Sequence, residues 1–296
     1  MIAVPFTPVT STAVLVAINA TDEAAWSGAT TYALSAVVSK NKRRWVSLQA
    51  GNLNHDPEEL DSLWWTDDGP SNQWAMFDTS VQTATTRTGG LEFTLATGRV
   101  TAVGLMGLSG ANTATITVRD GLGGAVIYTN TKTLATSGGS YYGFCFEPLQ
   151  QLQEAVWYSL LGSINSHITI TLAGPGTVAC GLCVFGRQID VGNAEYGFSV
   201  ATEDRGRQYL DRLGNPVTIE RGYSKGASGT VHSSRAEYNR LMAFIAANIN
   251  TPCLWVAAPD QADLVAATVF GRFTRAVPAI SEPNRITAAW EIAGYR

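Results

Sequence analysis

Charge is scarce in this chain. Asp, Glu, Lys and Arg make up 15% of its 296 residues, where a typical globular protein carries about a quarter. With 45% hydrophobic residues beside so few charges, a disordered polymer is excluded. The net charge of −4 and a pI near 5.4 leave no broad electrostatic footprint for nucleic acid, so no nucleic-acid partner is expected. No stretch of 18 apolar residues occurs, so no membrane span is expected. The opening MIAVPFTPVT has no basic segment and is interrupted by Pro5 and Pro8, unlike a secretory signal.

Cysteine and histidine are equally sparse. Four cysteines (Cys145, Cys180, Cys183, Cys253) are too few and too scattered for a disulfide framework in a chain this long. They read as buried thiols made in a reducing cytoplasm. Cys180-Gly-Leu-Cys183 matches the bare spacing of metal or redox pairs. It lies in the apolar run Val178–Phe185 with no second pair to complete four zinc ligands, so it reads as core thiols of a buried strand. His55, His167 and His232 stand far apart, and none sits in a hydrolase or metalloprotease motif. No glycine-rich nucleotide loop is present. The expectation is a non-enzymatic chain with no cofactor and no metal.

What is present is glycine (29 residues), Ser/Thr-rich alternation and tryptophan. The length suits two or three domains. Residues 1–20 read as an extended arm. Five of the eight tryptophans (Trp26, Trp45, Trp64, Trp65, Trp74) fall within residues 26–74 and mark a small Trp-rich module at 21–66. There Tyr32–Ser39 and Trp45–Gln49 read as a hairpin with the basic turn Lys40–Arg44 at its tip. Residues 67–190 read as an antiparallel β-sandwich. Leu91, Phe93 and Leu95, Ile116 and Val118, and Ile168, Ile170 and Leu172 share one face, and Thr residues the other, between turns such as Gly138-Gly139. One short helical turn is expected over Leu149–Trp157.

Residues 191–296 read as an α+β unit. Its one helix, Arg235–Ile249, places Tyr238, Leu241, Met242, Ile245 and Ile249 on an apolar face. Ser234 and Glu237 fit a capping box, and Asn250 and Pro252 a stop. The fold class is therefore mainly β: a small β module, an antiparallel β-sandwich and a C-terminal α+β unit with one amphipathic helix.

Several side-chain clusters have two readings. Asp56, Glu58, Glu59, Asp61, Asp67 and Asp68 are either an acidic pair of glycosidase type or an exposed polar loop. The loop is favoured, because a general acid needs an apolar pocket to raise its pKa. A calcium site at Asp67-Asp68 lacks EF-hand spacing. The basic run reads as a solvated tip more than an anion patch. The rings Trp26, Tyr32, Trp45, Trp64 and Trp65 either stack on the C–H face of sugars or assemble the core of a small domain.

Two resemblances follow from these residues. Trp26-Ser27-Gly28, Tyr32, Val37-Val38, Trp45, Asn52, Pro57 and Trp64 resemble small chitin- and cellulose-binding modules, with Ser35 where those carry glycine. The stretch Trp64-Trp65-x-Asp67-x-Gly69-Pro70-Ser71-Asn72-x-Trp74-Ala75-Met76-Phe77-Asp78 is similar to tail proteins of long-tailed bacteriophages. Gly186-Arg187-x-x-Asp190-Val191-Gly192, Tyr196-Gly197, the Asp204–Arg212 loop, Arg221-Gly222, Thr251-Pro252, Val269-Phe270-Gly271 and a final strand near Trp290 extend that similarity. It implies a distal-tail-like structural protein of the tail tip or baseplate, with a barrel-like C-terminal α+β domain. Copies would join in a ring through sheet edges left open at Val265–Phe270 and Ile286–Ile292, and would contact other tail proteins. The resemblance places the protein in the virion tail, after assembly in the host cytoplasm. The five rings would contact host-surface glycan. A receptor-binding adhesin and a polysaccharide-degrading enzyme with a binding module remain open as alternatives.

Overall fold

The computed structural model describes residues 1–11, 13–60, 62–136, 141–146, 150–219, 222–259, 264 and 267–295. Asp61, the Gly138-Gly139 turn, Leu149, Arg221 and Val265 lie outside the described residues. With 51% strand and 8% helix, the protein is mainly β, built from antiparallel sheets.

The sandwich pairs a five-stranded sheet with a three-stranded one. The larger runs Val126–Thr133, Thr113–Asp120, Ser166–Ala173, Leu91–Ala96, Leu15–Ile18; the smaller runs Ala155–Trp157, Ala102–Met106, Leu182–Gly186. Alternation decides the faces of the larger sheet. Leu91, Phe93, Leu95, Ile116, Val118, Ile168, Ile170 and Leu172 are all buried in one cluster. On the opposite face Thr94 and Thr169 join hydroxyls at 2.9 Å, and Thr115 and Thr131 at 2.8 Å.

The smaller sheet does not alternate, because both its faces are covered. Val103, Leu105, Trp157, Cys183 and Phe185 face the larger sheet. Ala102, Met106, Val156, Leu182 and Val184 face Ile2, Val4, Leu254, Val256 and Phe270 of the C-terminal sheet. Gly104 lies under Leu254, where a Cβ would stand 2.1 Å from Leu254 Cδ2. Three layers are thereby fused by two apolar seams. The helical turn expected over Leu149–Trp157 is not formed. Ala155–Trp157 is a strand with every residue buried, and a six-residue helix lies upstream at Tyr141–Phe146.

The C-terminal sheet runs Ile189–Asp190, Ile2–Pro5, Cys253–Val256, Thr268–Glu282, Arg285–Gly294, Tyr223–Ser234, Asn193–Ala194, and Ser199–Asp204 also pairs Tyr223–Ser234. Its two end strands, Ile189–Asp190 and Asn193–Ala194, are separated by only Val191 and Gly192. One stretch of chain therefore touches both ends and closes the sheet into a barrel-like body. The open edges expected at Val265–Phe270 and Ile286–Ile292 are not found among the described residues: Thr268–Glu282 and Arg285–Gly294 are interior strands, each paired on both sides. Val191 N–H bonds Met1 O at 3.0 Å. Gly192 (φ 118°) passes so close to His232 that a Cβ would sit 2.3 Å from its carbonyl oxygen. Residues 1–20 contribute Ile2–Pro5 to this sheet and Leu15–Ile18 to the sandwich.

The helix is Tyr238–Ala247, entered through a 3-10 turn at Arg235–Glu237. Leu241 and Phe244 are buried against Trp255, Phe273 and Trp290. Phe244 belongs to the packing face, whereas Met242 (41% exposed) and Ile249 (58%) turn to solvent. The capping box is half formed. Ser234 Oγ accepts from Ala236 N–H, and Glu237 turns outward to pair with Arg240 at 2.5 Å.

Candidate functional site

In the small module, Val37–Lys40, Arg43–Ser47 and Trp65–Pro70 form a three-stranded sheet beside the two-stranded pair Thr31–Tyr32 and Asn52–Leu53. The hairpin turn is two residues, Asn41 (φ 49°) and Lys42 (φ 68°), the primed geometry that suits strand twist. The expected strand Tyr32–Ser39 is broken, because Ser35 adopts φ 64° and its N–H bonds Ser47 O at 2.8 Å.

Register places Val38 beside Trp45, Trp45 beside Asp67, and Ser47 beside Trp65. Val38, Ser47 and Trp65 are buried, so this is the inward face. Trp65 is 3% exposed; its Nε1 donates to His55 O at 2.9 Å, and its ring meets Tyr32 edge-on at 5.2 Å. The Tyr32 hydroxyl accepts from Ser27 N–H at 2.7 Å. Trp64 stacks on His55 at 4.0 Å and 9°. Lys40 Nζ lies 4.5 Å above Trp26. Trp26 and Trp45 are half-buried, and each Nε1 lacks a hydrogen-bond partner among the described residues. Of the five rings the module brings Tyr32 and Trp65 into contact; Trp65 serves its core, and Trp26 and Trp64 each have one face taken by a neighbouring side chain. Trp74 lies in the sandwich core. The exposed apolar side chains here are aliphatic: Leu34, Leu48, Leu53, Leu60 and Leu63. Sequence alternation gave no sign of them, since they sit in turns and at strand ends.

The basic turn and the acidic cluster meet each other. Lys40 bonds Asp56 at 2.6 Å and lies 3.6 Å from Glu58; Arg43 pairs with Asp67 at 2.5 Å; Arg44 pairs with Asp68 at 3.2 Å and lies 3.8 Å from Glu23. The Lys40 hydrogen bond and the Glu58 backbone N–H hold the Asp56 carboxyl below its ordinary range, and the bond to Asp56 raises Lys40. Asp56 is thus biased toward the carboxylate, the opposite of what a glycosidase general acid requires. These pairs are exposed and add little stability. Their effect is to neutralise this surface.

The cysteine motif behaves as core, and Cys253 is buried too, whereas Cys145, expected to be buried, is exposed. Burial pushes the Cys180 thiol up to about 12 and Cys183 well above its ordinary value. Reactive pairs shift the other way.

On the barrel, two features project. The hairpin Arg207–Leu210 with Pro216–Ile219 is exposed along almost its whole length and carries Tyr209, Leu210, Leu213 and Ile219 into solvent. Strand Ser199–Asp204 pairs with Tyr223–Ser234 on one side only among the described residues. No helix among the described residues is long and apolar enough to cross a membrane. No family model matches the chain, and no curated protein matches it.

Proposed function

We propose that the chain is a structural subunit of the tail tip or baseplate of a long-tailed bacteriophage, joining copies of itself into a ring and docking to other tail proteins. The assignment to a tail rests on the sequence resemblance running from Trp64 to Trp290. The observation that carries self-association is the Arg207–Ile219 hairpin. A two-stranded hairpin without a packed face is marginal in water, and this one exposes Leu210 at 69% and Leu213 at 86%. Such an arm gains its stability from a surface on another molecule. A contact between an arm and a different patch is heterologous and generates a ring when its rotation closes. The one-sided strand Ser199–Asp204 offers a second pairing edge. The half-covered rings of Trp26 and Trp64 leave weak glycan contact as a subsidiary role, strengthened by multiplicity in a ring.

The test is light scattering on the purified chain across a concentration series, beside the double variant Leu210→Asp/Leu213→Asp. A discrete closed oligomer is expected, reduced to monomer in the variant at unchanged Tm. A chain that stays monomeric at high concentration refutes the reading.

A further inference from the structure

Between the sandwich and the barrel lies a cavity of about 170 Å³, whose lining mixes Val81, Met106, Phe270 and Tyr295 with polar side chains from both bodies. The polar side chains form an ordered constellation. Lys225 from the barrel bonds Glu154 from the sandwich, and Glu154 is 7% exposed. The Tyr223 hydroxyl lies 3.0 Å from Gln153 Oε1. Tyr223 and Lys225 stand two apart on one strand and so share a face. Phe270 and Tyr295 meet edge-to-face at 5.9 Å.

The wall at Val81–Gln82 is admitted by three glycines. A Cβ would stand 2.8 Å from Val81 O at Gly107, 2.2 Å from the same oxygen at Gly181, and 2.0 Å from Gln82 Nε2 at Gly222. Gly107 and Gly222 also hold φ of 64° and 70°, a region closed to most side chains. Close approach of the Val81 backbone thus shapes the seam at Gly107 and Gly181.

We propose that this cavity binds one uncharged, hydroxylated six-membered ring, such as a single monosaccharide unit. The size decides the first part: an apolar cavity of about 150 Å³ holds benzene, so this one is matched to a single substituted ring. The chemistry decides the rest. A mainly apolar lining with a few ordered polar groups suits a molecule with a C–H face and a hydroxyl edge, and pockets with few convergent polar groups at domain seams are the usual small-molecule sites. The Lys225–Glu154 pair cancels its own charge. A charged ligand would have to break it, leaving an uncompensated buried charge, which is strongly unfavourable. The site is separate from the Trp-rich module and does not depend on whether the chain forms rings.

The experiment is saturation-transfer NMR on the full chain with glucose, galactose, rhamnose, N-acetylglucosamine and glucuronate at millimolar concentration. At least one neutral sugar is expected to give signal. Measured in a Trp26→Ala/Trp64→Ala background, which removes the module's own glycan contact, Gln82→Trp, at an exposed wall residue, fills the cavity and is expected to abolish the signal, whereas Met242→Ala leaves it unchanged. Tyr223→Phe adds no volume and is expected to weaken Kd several-fold, an independent reading if Gln82→Trp fails to fold. The proposal is overturned if, in that background, no neutral sugar binds, if glucuronate alone binds, or if binding survives both cavity variants undiminished.

Discussion

Ser35 carries a β-carbon at φ 64°, where the left-handed region costs an L-residue roughly 1–2 kcal/mol. Glycine removes that cost but adds unfolded-chain freedom of roughly 0.5–1 kcal/mol. The difference favours Ser35→Gly, which is expected to raise stability by up to about 1 kcal/mol in urea titration; a loss of stability would show that the Ser35 side chain contributes more than its strain. The buried thiols supply a second residue-level effect. Cys180 and Cys253 are pushed from 9.0 up to about 12 by desolvation. Below pH 9 both are protonated whether the chain is folded or unfolded. As pH rises from 9 toward 12 the unfolded chain ionises first, so stability is lost across that window. Cys253→Ala is expected to flatten the decline of the urea midpoint between pH 9 and 11, relative to wild type. The burial of Cys180 and Cys183 was legible in the sequence, because the apolar run Val178–Phe185 that holds them reads as a buried strand. The left-handed turn at Ser35 was not, since a serine gives no sign of positive φ without its hydrogen-bonding partner at Ser47.

Among elements, the helix shows how far periodicity reaches. Its existence and approximate position follow from spacing alone. Its inward face depends on which rings meet it: Phe244 packs edge-on to Trp255 at 6.2 Å, and that partner lies across a sheet that spacing cannot specify. Phe244→Ala is expected to cost about 3–5 kcal/mol, whereas Met242→Ala, at an exposed position, stays within about 0.5 kcal/mol; thermal melts of the two variants separate them. The sandwich strands were legible for the same reason that their faces differ, apolar inside and Thr outside. The three-stranded sheet was harder to read because burial on both sides erases alternation, and Ala155–Trp157 then resembles a helical fragment. Of the five aromatic rings, only Tyr32 and Trp65 are in contact. The partial covering of Trp64 and Trp26 was not legible in the sequence, because His55 and Lys40 reach them through turns.

At the scale of the whole molecule, the two apolar seams make the sandwich and barrel mechanically continuous. Gly104→Val forces a branched side chain against Leu254, an overpacking worth about 1–3 kcal/mol. Near-UV signals from Trp157 in the sandwich and Trp255 in the barrel are expected to move to lower temperature together. Adding Leu254→Ala restores space, so the double variant is expected to lose less than the sum of the singles. Separate transitions for the two bodies would contradict the shared core.

The strand Ile2–Pro5 pairs Ile2 with Val256 and Pro5 with Cys253. During synthesis this apolar segment is made about 250 residues before its partner Cys253–Val256, an interval that at roughly 5–20 residues per second is on the order of ten seconds or more. The sandwich has its strands in hand well before that, so it sets first and the barrel closes last, around a segment that a chaperone has every opportunity to hold in the interval.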